Sequence, residues 1–161
     1  MQDIITILSK TEKLEESLSE LYRWLSTVLS SNQEISDFFR LLSLDETSHR
    51  DIVRYQLRVV RKDKHLFPDI SADVEYVEEA LHKIREFRSN SLPSIESSLR
   101  FAVEMESSIA EKFFTSIMKQ CNKEFASLVD NMSCACRGHL TKCIEMANKH
   151  NIQIDESLLN S

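Results

Sequence analysis

Glycine and proline are nearly absent from this chain, whose 161 residues include one glycine and two prolines. Tight β-hairpin turns and phosphate-binding loops both depend on glycine, so its scarcity argues against a sheet-rich fold and a glycine-rich nucleotide site. The length suits one domain with a full hydrophobic core. This composition is typical of long helices joined by short polar loops. We therefore expect residues 1–161 to form a single all-α domain.

The chain also lacks an excess of positive charge, a long apolar run and a basic leader. Its 20 Lys and Arg residues against 26 Asp and Glu residues give a net charge of −6, which argues against a nucleic-acid partner. No stretch approaches the ~20 apolar residues that cross a membrane. Residues 1–4 carry no basic segment typical of a secretory signal, and the four cysteines form no C-x-x-C pair. We expect reduced thiols and a cytoplasmic location.

Apolar residues recur at helical spacing in four long stretches and one shorter stretch. The predicted helices cover residues 3–30, 33–62, 71–88, 93–119 and 122–149. A few residues join the long helices within each half of the chain, so each half is expected to form an antiparallel hairpin. The connection between the hairpins contains the short helix and is long enough to run along the bundle. This pattern predicts a four-helix bundle with one long crossover.

Ionisable or thiol side chains interrupt the apolar stripe of each long helix near its middle. The interrupting residues are Glu15, Glu46, His49, Glu106, Cys136 and His139. Counting ~1.5 Å per residue from the predicted turns puts all of them at a similar depth. The spacing repeats, because Glu46 follows Glu15 by 31 residues and Cys136 follows Glu106 by 30. The first acid of each half is followed seven residues later by a ring, Tyr22 or Phe113.

Three carboxylates at one depth of a helical core need compensating positive charge. No Lys or Arg occupies the interrupted stripes. Divalent metal ions would supply the charge, because carboxylate oxygens and imidazole nitrogens are common metal ligands. Glu46 and His49 are three residues apart and project from the same helix face, so both could reach one metal. Asp45, Glu16 and Glu104 neighbour the candidate ligands but are expected to point away from the bundle axis.

With this spacing, the sequence resembles the ferritin-like di-iron carboxylate superfamily, and its rubrerythrin-type branch in particular. The resemblance covers about residues 3–149 and rests on Glu15 with Tyr22, Glu46-x-x-His49, Glu106 with Phe113, and Cys136-x-x-His139. It implies a ferritin-like four-helix bundle that holds two iron ions. It also implies that the metal ligands are Glu15, Glu46, His49, Glu106 and His139. Tyr22 and Phe113 would lie beside these ligands.

The sequence departs from the family pattern in three respects. Cys136 stands where the pattern has a glutamate, and it is either an unusual ligand or a missing one. Ile109 stands where rubrerythrins have an additional carboxylate. No pair of C-x-x-C motifs follows the bundle, so we do not expect the rubredoxin-type iron centre that relays electrons in full rubrerythrins.

The resemblance implies an oxidoreductase that acts on peroxide or dioxygen and takes electrons from an external donor. Two alternatives stay open. The bundle could have lost its metals and serve as a structural or interaction module, or it could bind one zinc ion through Cys136, His139 and nearby carboxylates. Related bundles commonly dimerise, so a homodimer is expected by analogy. We expect no nucleic-acid partner and no membrane partner.

Overall fold

The computed structural model describes residues 3–62, 75–107 and 138–154. Five helices occupy these ranges: α1 (Ile4–Val28), α2 (Gln33–Lys62), α3 (Glu75–Ser89), α4 (Ile95–Glu106) and α5 (138–149). The described ranges contain no strand, which confirms the all-α prediction. None of these helices combines the length and the hydropathy that a membrane crossing requires. Among the predicted helical residues, 71–74, 108–119 and 122–137 lie outside the described ranges.

Short polar side chains fix the starts of three helices. Asp3 accepts a hydrogen bond from the backbone N–H of Thr6 at 2.9 Å, and Asn32 accepts one from the N–H of Ile35 at 3.2 Å. Ser94 caps α4 in the same way, so this helix begins at Ile95, two residues after the predicted start. Such caps satisfy backbone donors that have no partner within the first helical turn.

Close contacts between small hydroxyl side chains show that α1 and α2 form an antiparallel hairpin. Ser19 Oγ lies 2.8 Å from Thr47 Oγ1. Nearer the turn, Ser36 Oγ donates to the carbonyl oxygen of Ser26 at 2.8 Å. Later residues of α1 therefore contact earlier residues of α2. The contact at Ser19 is one helical turn beyond Glu15 and adjoins Glu46, so it sets these two carboxylates at the same depth.

Ion pairs between helices fix the direction of α3. Lys10 of α1 contacts Glu78 at 2.9 Å, and Glu20 of the same helix contacts Arg88 at 3.3 Å. Since both partners advance along their helices in the same order, α3 runs parallel to α1.

The directions of α4 and α5 follow from contacts with α3 and α2. Lys83 pairs with Glu104 at 2.7 Å, and Phe87 stacks on Phe101 with ring centroids 4.1 Å apart, so α4 is antiparallel to α3. On α5, His139 contacts Asp45, and Lys149, ten residues later, contacts Glu34 near the start of α2. The two helices are therefore antiparallel, while α2 and α4 run in the same direction.

The core lies between the described helices and takes buried residues from all five of them. Leu21, Tyr22, Leu25, Phe39 and Leu99 are each 0% exposed. Burying a large apolar side chain contributes ~1.5–3 kcal/mol, so this group is a major source of stability. Tyr22 stacks on Phe39 with ring centroids 5.9 Å apart. This packing holds the Tyr22 hydroxyl in the interior of the bundle.

Candidate metal centre

Five of the six predicted metal ligands converge in the described part of the bundle. They come from four helices: Glu15 (α1), Glu46 and His49 (α2), Glu106 (α4) and His139 (α5). Each is at most 6% exposed. The sixth candidate, Cys136, lies outside the described residues, as do Phe113 and Ile109.

Glu46 lies between the two histidines. Its Oε2 is 3.1 Å from Nδ1 of His49, and its Oε1 is 3.0 Å from Nδ1 of His139. Glu15 Oε2 approaches Nδ1 of His49 at 3.8 Å. Glu106 Oε2 approaches Nδ1 of His139 at 3.6 Å. The site thus consists of two similar halves, each with one further carboxylate and one imidazole, and the halves share Glu46.

Glu46, His49 and His139 form the most compact group of possible ligands. One ligand atom from each lies within 4.8 Å of the others. Nδ1 of His139 is buried and makes no hydrogen bond of good geometry to a described residue, although carboxylate oxygens lie beside it. Buried polar atoms normally have a partner, and a metal ion would satisfy this nitrogen and the carboxylates together. The residues therefore fit a divalent ion that accepts oxygen and nitrogen ligands.

Burial makes the charged forms of several site residues costly. Burial, followed by the charge of Glu46, raises the pKa of Glu15 well above its ordinary value of 4.5. Burial and the charge of Glu106 raise the pKa of Glu46. Burial lowers the pKa of His49. In the described ranges, no lysine or arginine forms an ion pair with the three carboxylates.

The pKa of His139 shifts in the opposite direction to that of His49. Burial lowers the pKa of His139, but its contacts with Glu106 and Glu46 outweigh burial and raise the pKa to about 11. In the metal-free site, the raised pKa values of His139 and Glu15 favour the protonated forms of both groups, which reduces the negative charge of the cluster. A divalent cation can take over this role, because its charge compensates the same carboxylates.

Asp45 contacts the site, although the sequence placed it away from the bundle axis. Its Oδ2 accepts a hydrogen bond from Nε2 of His139 at 3.1 Å. The Asp45 side chain is 45% exposed and is rotated by ~100° from Glu46 around α2, and this rotation still leaves it facing the neighbouring α5. The contact leaves Nδ1 of His139 as the nitrogen that faces Glu46, which is the effect of a carboxylate behind a metal-binding histidine. Glu16 and Glu104 instead form ion pairs with basic side chains outside this group.

Tyr22 contacts Oε1 of Glu106, the carboxylate oxygen that does not approach His139. Its hydroxyl donates a hydrogen bond to Glu106 Oε1 at 2.6 Å. Burial, and then the charge of Glu106, raises the pKa of Tyr22 well above 10.0, so the hydroxyl keeps its proton. The hydrogen bond leaves Oε2 of Glu106 on the side of His139.

A family model for rubrerythrin matches residues 6–146. The chain belongs to the rubrerythrin family. Since this family is part of the ferritin-like superfamily, the ferritin-like fold expected from the sequence is confirmed. No curated protein and no solved structure matches the chain significantly. Membership implies iron binding, and the buried ligand group is the part of this rubrerythrin-family bundle that could provide it.

Replacing Asp45 with alanine is expected to weaken metal binding in this rubrerythrin-family protein by ~10–100-fold, because the orientation of His139 is lost. A competition titration against a chromophoric chelator, with zinc as a redox-inert probe, measures the change. Asp51→Ala is the matched control, since Asp51 lies on the same helix and contacts Arg50 and Arg54 at the surface. Equal zinc affinity in the wild type and the Asp45 variant would contradict the assigned role.

The metal-free protein is expected to lose stability as the pH rises from about 7 to 10. The pKa of His139 is raised from 6.5 to about 11, so its stabilising contribution is complete below 6.5 and is lost towards 11. The raised pKa of Glu15 acts in the same direction from pH 4.5 upward. The lowered pKa of His49 acts in the opposite direction, but only below 6.5.

Urea unfolding in the presence of a chelator tests this pH dependence. The free energy of unfolding of the wild type should fall relative to that of His139→Gln across pH 7–10, because the variant lacks the titrating imidazole. If the free energy of unfolding of the wild type minus that of the variant stays constant or increases from pH 7 to 10, the raised pKa does not belong to His139.

Proposed function

We propose that this protein is an iron-binding oxidoreductase that reduces hydrogen peroxide or dioxygen with electrons from an external donor. The observation that carries the proposal is the convergence of three carboxylates and two imidazoles around Glu46 in a buried site. Carboxylate oxygens and imidazole nitrogens suit ferrous iron. Membership of the rubrerythrin family favours iron over other divalent metals.

The two halves of the site would each hold one iron ion. Glu15 and His49 would hold one, Glu106 and His139 the other, and Glu46 would serve both. Iron supplies electron transfer, because two ferrous ions together release the two electrons that convert one hydrogen peroxide and two protons into two water molecules. The external donor must then return two electrons for each turnover.

The side chains around the candidate ligands hold these ligands in position. Asp45 holds Nε2 of His139, so that Nδ1 is presented towards Glu46. Tyr22 keeps its proton and fixes one oxygen of Glu106. The near-complete burial of the five candidate ligands keeps bulk water away from them. This preorganisation lowers the cost of bringing several acidic groups together around metal ions.

Anaerobic titration of the ferrous-loaded protein with hydrogen peroxide tests the proposal. We expect one peroxide to oxidise two ferrous ions, and we expect this oxidation to be faster than that of free ferrous iron in the same buffer. Glu46→Gln is the matched variant, because it keeps the volume of the side chain but removes the charge shared by both halves. Oxidation no faster than that of free iron, or equally fast in the variant, would remove the enzymatic function.

One observation favours a second candidate, a site for a single zinc ion. Glu46, His49 and His139 alone offer three ligand atoms within 4.8 Å of one another, and three protein ligands are enough for a zinc site with an open position. Elemental analysis of the purified protein separates the candidates. Two iron ions per chain support the oxidoreductase, and one zinc ion supports the second candidate. A melting temperature that neither metal changes would favour a structural or interaction module.

A further inference from the structure

Gln56 of α2 has a buried amide without a hydrogen-bond partner in the described ranges. The residue is 3% exposed, and neither Nε2 nor Oε1 is paired there. The other buried polar atoms of this kind are nitrogens of His139 and His150, and a carboxylate oxygen lies beside each of them, at 3.0 Å and 3.7 Å. Leaving a buried donor and a buried acceptor unpaired is costly, so the Gln56 amide points to a bound molecule that pairs with both atoms.

Gln56 lies on the inner face of α2, between the metal centre and the end of the bundle at which α1 begins. It follows His49 by seven residues, which is two helical turns or ~10 Å along the helix axis. Val53 and Val60 are buried on the same face, at 0% and 2% exposure. Because positions seven apart share a helix face, the Gln56 amide and the His49 imidazole project towards the same side of α2.

Thr11 of α1 lies at nearly the same level of the bundle as Gln56. The register between the two helices sets this level, because Glu12 contacts Arg54 at 2.6 Å. Thr11 is 3% exposed, and its hydroxyl donates to the carbonyl oxygen four residues earlier at 3.0 Å. The hydroxyl oxygen can still accept a hydrogen bond. Thr11 precedes Glu15 by one helical turn, so the polar groups at this level lead towards the candidate metal ligands.

The polar groups at this level suit a small neutral molecule. The Gln56 amide offers an acceptor oxygen and two N–H donors, and the Thr11 hydroxyl adds an acceptor. The buried charged residues of the described ranges lie at the metal centre and not at this level, so nothing here would compensate a bound cation or anion. A molecule that both donates and accepts hydrogen bonds can pair with all of these groups. Water and hydrogen peroxide are molecules of this kind.

We propose that Gln56 and Thr11 bind hydrogen peroxide inside the bundle, on its way to the metal centre. The role of this site in peroxide entry rests on the proposed oxidoreductase function, whereas the binding itself needs neither metal nor turnover. Dioxygen donates no hydrogen bond and therefore gains little from the Gln56 amide. The site thus distinguishes between the two oxidants of the proposed function and favours peroxide.

Crystallography of the metal-free protein, with and without a hydrogen peroxide soak, tests the binding without any turnover. We expect ordered density within hydrogen-bonding distance of Nε2 and Oε1 of Gln56, and after the soak this density should be elongated, as for two bonded oxygen atoms. It should disappear in Gln56→Met, which keeps most of the side-chain volume but has no amide. No density beside the wild-type amide, or the spherical density of an internal water alone after the soak, overturns the proposal.

Stopped-flow oxidation of the ferrous-loaded protein tests the entry of peroxide through this site. In Gln56→Met, the rate constant with hydrogen peroxide divided by that with dioxygen should fall by ~10-fold, which is about the effect of one lost hydrogen bond. Thr11→Val, which keeps the amide but removes the hydroxyl acceptor, should lower the same ratio by a smaller factor. Circular dichroism and zinc affinity check that each variant folds and keeps its metal ligands.

Leu57→Met is the matched control for Gln56→Met. Leu57 is the next residue of α2, is 2% exposed and carries no polar group, so its replacement should keep the wild-type ratio. A ratio in Gln56→Met equal to that of the control overturns the entry role. If the wild type is oxidised no faster than free iron, the proposed function fails, and the density beside Gln56 still decides whether the site binds peroxide.

Discussion

Glu46→Gln is expected to remove nearly all of the stabilisation that metal ions give this protein. Glu46 contacts both histidines, so neither half of the site keeps its full ligand set without this carboxylate. A ligand at 100 times its Kd stabilises a folded protein by about 2.7 kcal/mol. For a chain of this size, this corresponds to roughly 5–10 °C in melting temperature. The measurement is thermal unfolding with and without zinc, repeated anaerobically with ferrous iron.

The metal-free variant provides the internal comparison. Glutamine keeps the volume of the side chain and can still hydrogen-bond to the histidines, so the metal-free melting temperature should change little. Glu104→Gln is the matched control, because Glu104 is an acid on α4 that pairs with Lys83 away from the site. If metal raises the melting temperature of Glu46→Gln as much as that of Glu104→Gln, the cation binds elsewhere.

Much of the helical framework could be predicted because the local signals agree with the global fold. One glycine in 161 residues and apolar positions at helical spacing predict helices, and the described ranges of the structure contain them. The ends of the helices were harder to predict, because they depend on single side chains. Ser94 caps α4 and moves its start beyond Pro93, and Asn32 caps the helix that begins at Gln33. Such caps shift the end of a helix by one or two residues, and the periodicity of apolar residues does not resolve a shift of that size.

The convergence at the candidate site was predictable from depth, whereas its lateral contacts were not. Counting residues from a turn locates a side chain along the helix axis, and Glu15 and Glu46 do lie at one level. The role of Asp45 depends on how α2 is rotated against α5, which no residue count along a single helix reveals. The hydrogen bond from Tyr22 to Glu106 likewise joins residues 84 positions apart. The residue that accepts the hydrogen bond of Tyr22 could be identified only from the packing of α1 and α4 in the folded chain.

Phe39→Ala is expected to cost about 3–5 kcal/mol of unfolding free energy, which is typical of deleting a fully buried aromatic ring. Phe39 is 0% exposed and lies between Tyr22 and Phe38, with ring centroids 5.9 Å and 5.3 Å away. The cavity would also release the ring of Tyr22, whose hydroxyl holds Glu106. Metal affinity should therefore fall together with stability, although Phe39 is not among the candidate ligands. Urea unfolding and a zinc titration measure the two effects.

Two further variants separate the loss of packing from a general effect of mutation. Phe39→Leu keeps most of the buried volume, so it should cost less than ~1.5 kcal/mol and leave zinc affinity close to that of the wild type. Leu92→Ala removes an apolar side chain that is 79% exposed, so it should change stability by no more than ~0.5 kcal/mol. If Phe39→Ala is no more destabilising than Leu92→Ala, the ring of Phe39 is not packed in the core. In that case Tyr22 must be positioned by other contacts.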